Sequence, residues 1–231
     1  MKKQLLFLLL PCLFVACAPK QMSVSESNQV IQTGDLLSVA LPADYNLLDS
    51  TAGFAHQSQD TCPLNYIHTA ILDVDEEGVW IIDATLKRGV ARYPLDTFLR
   101  DFTLNDGSYP YFEVLRLKDN SAAQNYVDKA KMFVGEAYDT AFTLNNEKHY
   151  CTELIYDAYC ENKKSLFEPV SISFCDENGK LFLYWQQLFD ILKIAVPQGK
   201  TGLMPYDVRH SSLIETVNIQ IPTPKQSSTI Q

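Results

Sequence analysis

Two runs rich in β-branched and aromatic residues, "YIHTAILDV" (66–74) and "GVWIIDATL" (78–86), meet at the polar turn "DEEG". Such a pair is a hairpin signal, and a hairpin commits the chain to an antiparallel sheet. If "DEEG" is a four-residue loop, Val74 pairs with Val79, and paired residue numbers sum to 153. His68 then faces Thr85, and Asp83 lies on the same face as His68, one diagonal step away. Diagonal neighbours sit about 7 Å apart between Cα atoms, within side-chain reach. A loop of three or five residues would turn Asp83 to the opposite face. Asp83 is unusual in itself, because "WIIDAT" places a carboxylate inside an apolar run. Burying it unpaired would cost on the order of several kcal/mol, so it needs a partner, and His68 is the nearest candidate.

The remaining segments set elements around that hairpin. "VIQTGDLLSVAL" (30–41) reads as a turn at Thr33–Asp35 followed by a strand, and "YFEVLRL" (111–117) is a strand by alternation. Residues 42–63 are irregular, and a long loop in a compact domain is often functional. "YPLDTFLRDF" (93–102) reads as a short helix. "SAAQNYVDKAKMFVGEAY" (121–138) is a helix with Gly135 as its stop, and "YCTELIYDAYCEN" (150–162) is a second. "LFLYWQQLFDILKIA" (181–195) has helical spacing. Strands grouped ahead of helices predict an α+β fold with an antiparallel sheet or barrel packed on helices.

The first twenty residues, "MKKQLLFLLLPCLFVACAPK", combine a basic start, an apolar run too short to cross a bilayer, and Ala16 before Cys17. The reading is a signal peptide over 1–16. "FVAC" resembles a bacterial lipobox, which implies cleavage before Cys17 and lipidation of that cysteine. Residues 17–29 would be a lipid-anchored tether, 30–221 one folded domain, and 222–231 a disordered tail. The protein is then expected to be exported and lipid-anchored to the bacterial cell envelope, with the outer membrane the expected site. Loss of Lys2 and Lys3 takes the formal charge from −9 to −11, and no basic run with interleaved aromatics is present. Nucleic acid is therefore not an expected partner.

Cys62, Cys151, Cys160 and Cys175 remain after the leader and anchor, and could form two disulfides, one or none. No His or Cys pair has the spacing of a zinc ligand set, so neither metal nor cofactor is expected. Cys151 stands at the start of a helix whose Leu154, Ile155, Ala158 and Tyr159 share one face. That position suits two roles. It can be an ordinary buried cysteine, or a nucleophile, since unpaired N–H groups at a helix start favour a thiolate. A nucleophile needs a base, and the chain has four histidines: His56 in the irregular loop, His68 in the hairpin, His149 just before the cysteine, and His210 in "YDVRHSS".

Taken in order, "TGDLLSV", "HTAILDV", "GVWIIDATLKRGV", "GEAYDTAF" and "YCTELIYDAY" resemble the YiiX/YebB-like permuted papain-fold cysteine hydrolases, relatives of the NlpC-type peptidases. The segments extend from Gly34 to Tyr159. The strand histidine precedes the cysteine, the order of a circularly permuted papain-like fold. The resemblance implies Cys151 as nucleophile, His68 as general base and Asp83 as the group that orients it, although the family position often holds Glu within "IEA". It also implies that Gly34 and Asp35 shape the sheet edge near the site, and that Tyr138 and Asp139 are structural or line the substrate. The expected activity is that of an amidase or peptidase working through an acyl-enzyme.

Three readings compete with this. Cys151 could work with His210 in the unpermuted order, or the chain could be a ligand-binding lipoprotein without catalysis. The fold could also serve a lipid acyl hydrolase or acyltransferase. The expected partners are a small amide or peptide, such as a cell-wall fragment, or a lipid. Tyr184, Trp185 and Phe189 could line an apolar pocket or simply fill the core.

Overall fold

The computed structural model of the chain describes residues 30–54 and 63–221. The expected signal peptide, Cys17 and its tether, His56, Cys62 and the tail from 222 lie outside the described residues.

Six strands form one sheet: β1 (Leu36–Pro42), β2 (Leu64–Asp75), β3 (Gly78–Thr85), β4 (Gly89–Pro94), β5 (Tyr111–Leu117) and, last in the chain, β10 (Ile214–Val217). Their spatial order is β10-β5-β1-β2-β3-β4, and every neighbouring pair is antiparallel. Among the described residues no ladder joins β10 to β4, so the expected sheet or barrel resolves as an open sheet. Helices α1 (Leu95–Asp101), α2 (Ala123–Met132), α3 (Cys151–Ala158), α4 (Leu183–Leu192) and α5 (Pro205–Arg209) pack around it. Two small ribbons complete the domain, β6 (Cys160–Glu161) with β7 (Lys164–Ser165), and β8 (Val170–Ser171) with β9 (Thr201–Gly202).

The hairpin register is the one that sums to 153: Val74 pairs with Val79 and Ile71 with Ile82. Pairing continues to Asp75 and Gly78, so only Glu76 and Glu77 form the tip. The central strands are buried on both sides because each face carries its own core. Leu37, Val39, Ala70, Leu72 and Ile81 meet Phe98 of α1 and Trp185 and Phe189 of α4. Leu36, Ile71, Ile82 and Leu115 meet Val127 and Ala130 of α2 and Leu154, Ile155 and Ala158 of α3.

Helix α3 spans eight residues, too short to persist alone in water. Its apolar stripe holds it: Leu154, Ile155 and Ala158 are fully buried, and Tyr159 just beyond is too. Burying a Leu or Ile side chain contributes roughly 1.5–3 kcal/mol, which outweighs the cost of so short a helix. Tyr150, immediately before α3, belongs to the other core. The helix N-terminus therefore lies at the seam between the two cores. Helix α2 ends at Met132, short of the expected stop, and Gly135 follows with φ +103°.

Candidate active site

Cys151 is the first residue of α3, behind an extended Tyr150. The Tyr150 N–H donates to the Glu153 carboxylate at 3.3 Å, which ties down the entry to the helix. On either side of Cys151 the chain is anchored to one segment. Thr152 donates its hydroxyl proton to the Leu203 carbonyl, and the Leu203 N–H donates to the Tyr150 phenol at 3.0 Å. The cysteine is 6% exposed, and the N–H groups of the first helical turn have no acceptor within the helix.

His68 arrives from β2 with help from a bulge. Val39 pairs with His68 but Ala40 pairs with Tyr66, leaving Ile67 as an extra residue. A bulge turns the bulged strand and re-aims the side chains beside it. Ile67 joins the α1–α4 core, and His68 packs its ring 5.9 Å from Phe98 and 5.2 Å from Phe102 on the same side. Its Nε2 lies 2.9 Å from Asp83 Oδ2, the contact that the hairpin register predicts. Asp83 is fully buried, and the same Oδ2 accepts the Tyr93 O–H at 2.9 Å. With Nε2 engaged, Nδ1 is the ring nitrogen left for Cys151, whose side chain is close enough to raise the imidazole pKa.

Burial alone would disfavour the imidazolium of His68. The charge of Cys151, the hydrogen bond that His68 donates to Asp83 and the contact with Cys151 outweigh it and raise the pKa from 6.5 to about 10. Tyr138 and Tyr184 also sit close enough to feel Cys151. Burial raises both phenols above their ordinary range, and the charge of Cys151 raises them further. Each therefore keeps its proton beside the thiol.

The other candidates fall elsewhere. His149 is buried against Phe133, with Nε2 3.1 Å from Asp157 and Nδ1 2.8 Å from Glu136. The second contact is too poorly aligned for a hydrogen bond. His210 closes α5 on the surface, stacked on Tyr206 and hydrogen-bonded to its carbonyl. Gly34 and Asp35 are not at a sheet edge near the site, because β1 is a central strand. The Gly34 N–H donates to Leu72, four residues along β2 from His68, and Asp35 holds Arg116 through two bonds of 2.7 Å. Asp139 is likewise structural, accepting the Ala141 and Thr143 N–H groups in the loop before α3.

Cys160 is not deeper in the helix, as the length of the apolar run suggests, but half-buried in β6 beyond its end. Cys151, Cys160 and Cys175 are all free thiols. Phe189 is a core residue, Trp185 is buried beside it and also lines a cavity, and Cys151 is near enough to Tyr184 to raise its phenol pKa. Tyr93, Phe98 and Phe102 are neighbours of the site that pattern reading missed. "LKRG" before Val90 was the available signal, a turn that starts β4 and sets Tyr93 diagonal to Asp83 on one face.

Among the solved structures that match is that of metalloprotein yiiX from Escherichia coli O157:H7. It is 18% identical, with a TM-score of 0.54, and the match covers 83% of this chain and 98% of that one. The metal that its name implies is said of that protein; among the described residues here, no group of three His, Cys, Asp or Glu side chains is arranged to hold a metal ion. No curated protein matches the sequence. The family model for the permuted papain-like amidase enzymes YaeF/YiiX matches residues 47–217, which takes in the β2–β3 hairpin, α3 and the edge strand β10. The chain belongs to this family, the permuted papain-like amidases of the YaeF/YiiX, C92 type.

Proposed function

We propose that the chain is a cysteine amidase or peptidase in which Cys151 is the nucleophile, His68 the general acid and base, and Asp83 the residue that positions His68. The observation that carries this is the line from Asp83 Oδ2 through the His68 ring to Cys151 at the start of α3. The thiol proton passes to His68 Nδ1, and Sγ attacks the substrate carbonyl carbon. The carbon–nitrogen bond then breaks, with the imidazolium protonating the departing amine. Water, deprotonated by the same imidazole, attacks the thioester, releases the carboxylic acid and restores the thiol. The Cys151 N–H at the helix start is placed to share in binding the oxyanion. Asp83 keeps Nε2 as the protonated nitrogen facing it, so that Nδ1 is free to exchange a proton with sulfur.

The leader "LFVAC" supports a setting for this chemistry: export, lipidation at Cys17, and attachment to the cell envelope. There the substrate would be a small amide or peptide such as a cell-wall fragment.

The test is intact-mass detection of a thioester. Purified protein is mixed with a panel of activated amides and lipid esters and quenched in acid. A mass gain on wild type that disappears in Cys151→Ser, located by digestion at residue 151, is the expected result. Turnover that survives in Cys151→Ala would refute the proposal. Preference for the esters over the amides would move the assignment to lipid acyl chemistry.

A further inference from the structure

A cavity of about 600 Å³ is lined by residues that neighbour those of the site in sequence, without including Cys151 or His68. Its walls come from the segments that surround those two residues. Asn65 and Tyr66 precede His68 on β2, and Phe182 and Trp185 flank Tyr184, the phenol that feels the Cys151 charge. Met204 follows Leu203, which is bound to the residues on both sides of Cys151.

One wall atom is out of keeping with a merely apolar void. Asn65 is 2% exposed, and its Oδ1 accepts the Trp185 Nε1–H at 3.1 Å. Indole N–H can only donate, so the carbonyl end of the Asn65 amide must face Trp185 and the amino end must face away. That Nδ2 is buried and has no hydrogen-bond partner among the described residues. Leaving a buried donor unmade costs about 1–3 kcal/mol, a cost that a bound acceptor would remove. The charge of the lining narrows the ligand further. Asp176, Glu177 and Asp207 line the cavity, and among the described residues none of its lining is Lys, Arg or His. A carboxylate or phosphate would be repelled there.

We infer that this cavity is the substrate-specificity pocket of the proposed amidase, taking an uncharged apolar group whose neutral carbonyl oxygen accepts the Asn65 Nδ2–H. Phe182, Trp185 and Met204 supply the apolar contact. The inference rests on the catalytic reading of Cys151 for its function, but the binding it describes needs no reaction.

The Cys151→Ala protein isolates that binding from chemistry. Titration calorimetry with benzyloxycarbonyl-leucinamide is expected to show saturable binding, at least tenfold tighter than for benzyloxycarbonyl-leucine, its carboxylate counterpart. Asn65→Asp retains an oxygen for Trp185 but replaces the free donor with a charged acceptor, so it should weaken the amide at least tenfold. Asn65→Ala, which adds no charge, should weaken it as well. Equal affinity for the two ligands, unchanged affinity in both Asn65 variants, or no saturable binding would overturn the pocket assignment. In protein with Cys151 intact, the rate of iodoacetamide labelling at Cys151 tests the catalytic reading separately. A wild-type thiol no faster than a model thiol would defeat the catalytic reading, while the calorimetry would still decide the pocket.

Discussion

His68 and Asp83 meet diagonally across the β2–β3 hairpin, with Nε2 2.9 Å from Oδ2 in a site closed to solvent. Both sit on strands of the sheet, His68 beside a bulge and Asp83 on β3, and paired apolar residues fix the hairpin register, so the contact is set by the sheet and not by a mobile loop. The consequences can be measured.

Asp83→Asn keeps the shape of the pair and removes its charge. With no carboxylate to favour the imidazolium, the His68 pKa should fall from about 10 toward its ordinary 6.5. Protonation of the leaving amine needs the imidazolium, so the alkaline limb of the pH–kcat profile should move to lower pH. The rate at its optimum should drop by roughly 10²-fold or more, the scale of a general acid–base contribution. Tyr93→Phe removes only the phenol donor to Oδ2. It should lower stability by about 1–2 kcal/mol with a much smaller change in kcat, read from denaturant unfolding and initial rates.

Gly34→Ala should lower stability and leave the chemistry alone. Gly34 has φ +83°, and an added Cβ would lie 2.6 Å from Ala123 Cβ on α2. Strain of this kind costs on the order of 1–3 kcal/mol. Thermal unfolding should show the loss, while kcat per folded molecule stays at the wild-type value. A selective loss of kcat would mean that the "GD" turn does act on the site.

Glu153 gives stability a pH dependence of known sign. Burial raises its pKa from 4.5 to about 8, against the lowering effects of the Tyr150 N–H and His149. The folded state therefore holds this proton more tightly than the unfolded chain. Its contribution is fully present below about pH 4.5 and is lost as pH rises through about 8. Glu153→Gln, neutral at every pH, should flatten that part of the profile when melting temperature is followed from pH 4 to 9. An unchanged slope would mean that Glu153 is ionised in the folded protein.

Much of the site could be read from the order of residues because its geometry is local to one hairpin. A turn of known length fixes parity, and parity decided that Asp83 faces His68. The apolar spacing of "ELIYDAY" likewise fixed the buried side of α3. What stayed hidden depends on long-range packing. The approach of α3 to β2 joins residues 83 positions apart, and no periodicity encodes it; only the resemblance did. Gly34 and Asp35 misled for the same reason, since a turn next to a strand gives no sign of which end of the sheet it occupies. Asp35 turned out to hold Arg116 on β5. Strand β10 and helix α5 went unseen because four- and five-residue elements carry too few positions for a pattern.

The central claim is that His68 activates Cys151. Its most direct measurement is the rate of iodoacetamide labelling at Cys151, by digestion and mass analysis, in wild type, His68→Ala and His210→Ala. The expected result is a fall of at least tenfold in His68→Ala and a wild-type rate in His210→Ala, since His210 is held on the surface by Tyr206. An unaltered rate in His68→Ala, with loss in His210→Ala, would contradict the account.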